Sequence, residues 1–466
     1  MSQRFRPCSL DQPFLLPPSL DEWLPPGHLA RFIAGVTNEL DLSGIYKEYE
    51  RGDGRGAIGY HPMLLTRLLL YAYSVGITSS RRIEKATYDD LALRYLAADQ
   101  HPDHDTIAAF RQQHLSQLGG LFSQALALCR RAGLVKLGNI ALDGTKILAN
   151  ASRDKSMTYS RMTVQEQQLD ALVKQLLEQA EATDRAEDER YGKGRSGDEL
   201  PPDLVDATSR LEKLRAAKRE LEREAAKQLE RAQRDYPSKG RGGRPGKDEV
   251  PRKPLTETER YRLRNRLRRA RRNAEQPGRQ YNFSDPDSRL MHDNGKGAFV
   301  QGYNAQAAVD GHAQVIVAAE VTQDVVDRNQ LVPMCTEIQR TLGEFPPLVT
   351  ADAGYWNTEA LAEVSHQGVD LLVAPDATHR WATPRTCKVS PEVLEMRARI
   401  KDGPGRELYS RRREIVEPVF GQIKGVRRLD RFSMRGLDKV KAEWRLICAT
   451  HNLLKLFRHN FLQQPA

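Results

Sequence analysis

Cysteine is scarce. The 466 residues contain five, Cys8, Cys129, Cys335, Cys387 and Cys448, widely scattered and without a CxxC pair. That excludes a disulfide framework and a cysteine-based zinc site, and suits reduced thiols in the cytosol. Long apolar runs are missing too. No uninterrupted hydrophobic segment approaches the ~20 residues of a membrane span. The opening stretch MSQRFRPCSLDQPFLLPPSL has no continuous apolar core of signal-peptide length. A cytoplasmic protein with no membrane partner is the expectation.

Charge is present in quantity: 72 Lys+Arg against 62 Asp+Glu, a net +10. A basic balance favours a polyanionic partner, and its distribution says more than its sum. RYRLRNRLRRARR, residues 260–272, places eight arginines in thirteen positions. A charge run is usually a solvated face, but a helix this dense in one sign repels itself without a polyanion nearby. Arg264, Arg268 and Arg271, spaced by four and three, would share one helical face toward DNA phosphates.

The patterning divides the chain in three. Residues 1–135 read as helices. HPMLLTRLLLYAYSVG has Pro62 near its start and Gly76 past its end, Ser79 or Ser80 can cap a helix opening on Arg81 and Arg82, and Asp105 can cap another. Short helices with arginines at their starts suit a DNA-binding bundle, and equally a plain packing domain. His101 and His104 read as loop residues around a cap rather than metal ligands. Residues 156–275 are rich in Glu, Lys, Arg, Gln and Ala, with leucines three and four apart. That predicts an antiparallel helical pair or coiled coil, with flexible connectors around YGKGRSGDELPPD and YPSKGRGGRPGKDEVPRKP. Residues 136–155 and 276–466 carry strands, a hairpin turning at Asp310-Gly311-His312, and further helices. This is a mixed α/β domain interrupted after its first strand by the helical insertion.

Two aspartates share a placement. Asp143 follows NIAL and Asp352 follows LVTA, each ending an apolar strand beside a glycine-containing turn, where side chains converge in an open α/β sheet. A third acid, Glu417 of REIVEPVFGQIK, is predicted near the core face of its helix, where a buried carboxylate needs a cation. Three converging acids without a His/Cys cluster suit two hard divalent ions, Mg²⁺ or Mn²⁺, and phosphodiester chemistry. The bland alternative is that Asp143 and Asp352 only cap turns. Asp285 and Asp287 of FSDPDSRLM could be ligands, but Ser-Asp-Pro-Asp-Ser is also a natural turn. Arg289, Lys296 and the neighbouring glycines suggest a loop close to DNA.

At LDGTK, FSDPDSRLM, GYNAQAAVD, TADAGYW and YSRRREIVEPVFGQIK, in that order, the chain resembles bacterial insertion-sequence DDE transposases with a helical N-terminal domain and an RNase H-like catalytic domain. The resemblance covers most of the chain outside roughly 155–275. It implies that Asp143, Asp352 and Glu417 are the catalytic, metal-binding triad. It also implies a Tyr-Arg-Glu-Lys signature on Tyr409, Arg412 or Arg413, Glu417 and Lys424, whose cations would hold DNA. Arg412 keeps two residues after Tyr409 and Arg413 three before Glu417; both stay open, with Arg412 favoured. The implied activity is binding of terminal inverted repeats, cleavage, and joining of 3′ ends to target DNA. The implied setting is a homo-oligomeric synaptic complex at the nucleoid. The alternatives are a related metal-dependent DNA nuclease and a non-catalytic DNA-binding derivative.

Overall fold

The computed structural model describes residues 19–50, 59–191, 202–236, 257–293, 297–375 and 390–463. Lys296 and most of both predicted connectors lie outside them. Among the described residues, eight helices come first: α1 (Leu20–Trp23), α2 (Leu29–Glu39), α3 (Ser43–Glu50), α4 (Pro62–Ser74), α5 (Ser80–Asp89), α6 (Leu91–Leu96), α7 (His104–Gln113) and α8 (Leu115–Arg131). Then follow β1 (Ile140–Leu148), β2 (Ser156–Thr158), α9 (Tyr159–Tyr191), α10 (Pro202–Asp235), α11 (Glu257–Glu275), β3 (Gln280–Asn282), β4 (Arg289–Asp293), β5 (Ala298–Asp310) and β6 (Ile316–Thr322). The chain continues through α12 (Leu331–Leu342), β7 (Leu348–Ala351), α13 (Thr358–Ser365), β8 (Asp370–Val373), α14 (Pro391–Lys401), α15 (Gly403–Phe420) and α16 (Leu437–Gln463).

The chain divides into two compact units, Met1–Asn150 with Met291–Ala466, and Ala151–Leu290. In the first unit the mixed sheet runs β4-β5-β1-β7-β8, with β6 also on β5. β1, β7 and β8 are parallel, while β5 is antiparallel to β1 and β6. This is an RNase H-like sheet, flanked by helices and preceded by an all-helical region. The N-terminal helices share this unit: α4 and α8 pack on α16. Gly119 of α8 comes so close to α16 that a Cβ there would lie 3.1 Å from the Ala442 backbone. The Tyr73 hydroxyl donates to buried Glu443 at 3.0 Å. Gly76 takes φ +84, ending α4, and a Cβ on it would meet the Arg427 carbonyl at 2.2 Å, so only glycine fits.

Local chemistry sets the helix ends, with one difference from the sequence pattern. Ser79 precedes α5 as its N-cap, but α7 is capped by Asp103, whose Oδ1 accepts from Thr106 N at 2.8 Å, and not by Asp105. Asp103 holds the extended backbone a cap needs, while Asp105 is already inside the first turn. His104 bonds Glu84 and His101 bonds Thr87.

In the second unit α9 and α10 are antiparallel: Tyr159 bonds Glu222, and Glu166 pairs with Arg215 and Lys218. Met162, Leu214, Ala217, Leu221 and Tyr281 form one core cluster. Leu267 and Ala270 of α11 pack with Ala232 of α10. Asp285–Ser288 is a turn closed by Ser288 N and Oγ on the Asp285 carbonyl.

Candidate active site

Asp143 does not end its strand. β1 continues to Leu148, paired with β5 over its whole length from Ile140↔Asp310 to Leu148↔Gly302. On its other edge β1 pairs with β7 only at Ile140↔Val349 and Ala141↔Thr350. β7 then stops at Ala351, and continuing the register aligns Asp143 with Asp352. The two carboxylates therefore sit side by side where neighbouring parallel strands part, at a strand end in the sense that matters for a site. Asp352 turns into a 3₁₀ turn, its Oδ1 accepting from Gly354 N at 2.9 Å.

Their electrostatics follow from that placement. Burial raises the Asp143 carboxyl to about 6, the charge of Asp352 adds to the rise, and Arg412 opposes it. Burial also raises Asp352, again against Arg412. Arg412 Nη1 lies 3.4 Å from Asp143 Oδ2, with its side chain only 9% exposed. Tyr409, on the same face of α15, is bonded to Arg412, and burial raises its hydroxyl pKa. Arg413 is exposed and pairs with Glu417 at 3.8 Å. The structure thus separates the two arginines: Arg412 enters the site and Arg413 does not.

Glu417 departs from the sequence expectation. Its side chain is 62% exposed, because the buried face of α15 is Arg412, Ile415, Val416 and Val419, and Glu417 lies outside that stripe. Among the described residues no group of three or more His, Cys, Asp or Glu is placed to hold a metal. Pro418 explains part of the local geometry. Lacking an N–H, it leaves the Glu414 carbonyl without its helical partner, and Gln314 Nε2 donates there at 2.8 Å. Beyond it the helix widens to a π-helical stretch, Gly421–Val426, of the kind often found at functional sites. This stretch carries Lys424, whose Nζ donates to Thr145 Oγ1 and the Lys146 carbonyl, both at 3.0 Å. The following residues take the edge of β1 that β7 leaves free, with Leu148 N bonding the Asp430 carbonyl and Phe432 N the Leu148 carbonyl.

Several neighbours escaped the sequence reading. Asp327 Oδ1 accepts from Asn304 Nδ2 and Gln306 Nε2, both at 2.7 Å, and its charge raises Asp143 and Asp352. A Cβ on Gly144 would lie 2.4 Å from Gln306 Nε2 and 2.5 Å from Asp327 Oδ1, which is why glycine follows Asp143. Tyr355 is fully buried and donates to Gln306 Oε1. Burial lowers the Lys146 ammonium pKa, against the pull of Asp327, Asp143 and Asp352. The signal available was Asn304 and Gln306, two amides on one face of the buried stretch 302–309 of β5.

A helical N-terminal region joined to an RNase H-like sheet, with paired aspartates at its parting strands, defines the class of DDE-type nucleic-acid enzymes. The family comparisons give the same class: the Transposase DDE domain matches residues 255–453, and the Transposase domain (DUF772) matches residues 18–113. The chain belongs to the insertion-sequence DDE transposases and is an enzyme of that type. Asp352 and Glu417 fall inside the catalytic match, while Asp143 precedes it. No curated protein and no solved structure matches the chain. No helix among the described residues is long and apolar enough to cross a membrane.

Proposed function

We propose that this transposase binds the terminal repeats of its insertion sequence, cleaves there, and joins the 3′ ends to target DNA, with Asp143, Asp352 and Glu417 as its acids. The observation that carries the reading is the alignment of Asp143 and Asp352 on parting parallel strands, their protonation favoured by burial and by mutual repulsion. Paired oxygen donors in this state fit a hard divalent cation such as Mg²⁺ or Mn²⁺, which relieves that repulsion. Asp143 and Asp352 would hold it, and Glu417 would join them after leaving Arg413. Held there, such ions would supply activation of a water or 3′ hydroxyl and stabilisation of the leaving oxygen. Arg412 balances the aspartates and orients Asp143, while Lys424, bonded to β1, and Tyr409, bonded to Arg412, would serve as phosphate contacts. The three-part division, with residues 1–135, 156–275 and the interrupted catalytic domain as functional regions, and assembly into a homo-oligomeric synaptic complex belong to the same reading.

The test is substitution. Asp143→Asn, Asp352→Asn and Glu417→Gln each remove a ligand charge and little volume. Each variant should lose strand cleavage by at least two orders of magnitude while duplex binding stays within a few-fold. Near-normal metal-dependent cleavage by any one of them would remove that residue from the triad.

A further inference from the structure

We propose a second DNA-contacting site in the first unit: a cleft of about 470 Å³ where the start of α5 faces the segment 428–433, built to take a backbone phosphate. The inference rests on the DNA-binding reading above. Four arginines line the cleft, Arg81, Arg111, Arg428 and Arg431, and Asp105 is the sole carboxylate among its lining residues. Arg111 is only 7% exposed, yet no carboxylate meets it: its Nη atoms donate to the Thr78 carbonyl, the Tyr73 hydroxyl and Ser80 Oγ, and its Nε has no partner. Arg431 donates to the Ala149 carbonyl at 2.8 Å. Arg81 and Arg428 are exposed and pair with no acid among the described residues. Elsewhere on this protein guanidiniums commonly find carboxylates, as Arg31, Arg94, Arg130 and Arg445 do.

Four guanidiniums around one concavity that holds a single carboxylate leave an excess of positive charge, and a buried arginine with an unmet N–H retains hydrogen-bonding capacity. A phosphodiester answers both needs, since guanidinium forks match its oxygens. The cleft also opens at the N-terminus of α5, ten residues long, whose N-cap Ser79 makes no side-chain cap bond. That leaves first-turn N–H groups without a side-chain acceptor, and they favour an anion. Asn150, two residues past β1, lies on the cleft wall, so β1 leads from the aspartates to the cleft. At ~3.3 Å per residue the separation from Asp143 is roughly 20 Å, within one DNA duplex's reach of the reaction centre.

The experiment uses the full chain and a generic 30-base-pair duplex, because phosphate contacts carry no sequence information. The slope of log K against log salt should drop by about 1.8 in Arg81→Gln/Arg428→Gln, ~0.9 for each lost contact. The corresponding double Lys variant should keep most of the slope. Asp105→Asn, which leaves every arginine in place, should bind the duplex more tightly; this arm decides the matter if the Gln variant melts early. An unchanged slope together with unchanged Asp105→Asn affinity would overturn the cleft. So would stabilisation of wild type by inorganic phosphate, lost in the Gln variant, without a change in the DNA slope. Failure of the wild type to bind any duplex would instead sink the DNA reading itself.

Discussion

Asp143 is held with 22% of its side chain exposed beside Asp352, and its carboxyl titrates near 6 instead of 3.8. A raised carboxyl adds stability below pH 3.8, and that stability is lost as pH rises through 6. The difference corresponds to about 3 kcal/mol once ionisation is complete. Asp143→Asn should therefore melt higher than wild type at pH 8 and show little advantage at pH 4. Thermal melts at the two pH values check this, and an equal or lower melting point at pH 8 would contradict the burial argument. Asp143 and Asp352 were legible because an acid at the end of an apolar run is uncommon, although only Asp352 precedes a turn and Gly144 lies inside β1. Asp327 was not, because its place beside them depends on Asn304 and Gln306 reaching across from β5. Arg412 and Arg413 could not be told apart by spacing, since only packing decides which enters the core.

Among the elements, α11 tests charge against burial most directly. Leu267 and Ala270 face α10, and Arg266 pairs with Asp235 at 2.8 Å. Arg264, Arg268 and Arg271 are exposed and meet no acid among the described residues. Replacing these three with Gln should lower the salt slope for duplex DNA by roughly 2 to 3 with little loss of terminal-repeat preference. Gln keeps helix propensity near that of Arg, so circular dichroism should be unchanged. An unaltered slope would make this a solvated face. The helical periods of α9, α10 and α11 were readable because leucine and alanine repeat at three and four. β4 was hidden, since Arg289–Asp293 mixes polar and apolar residues and gains its strand form from pairing with β5. The exposure of Glu417 was equally hidden: apolar neighbours at 415, 416 and 419 place a stripe, but not which flank an acid occupies.

On the scale of the molecule, the N-terminal helices and the sheet share one core. α8 carries Leu118, Leu121, Phe122 and Ala125 buried, and α16 brings Trp444, Leu446 and Ile447 to the same unit. Residues 1–135 expressed alone lack α16 and would present that apolar face to water. They should give a non-cooperative melt and bind a hydrophobic dye, whereas the full chain should not. A sharp melt with retained terminal-repeat preference would show the region to be separable. The order of the chain also sets a schedule for synthesis. Roughly 150 residues separate the end of β1 from the start of β5, its longest partner, and α16 follows every other described element. At ~5–20 residues per second, β1 waits on the order of 8–30 s on the ribosome for that partner, and the helical layer waits longer still for α16. A chain interrupted before Leu437 holds every strand of the sheet but leaves the apolar face of α8 without α16, and an uncovered apolar face is open to proteases and to aggregation.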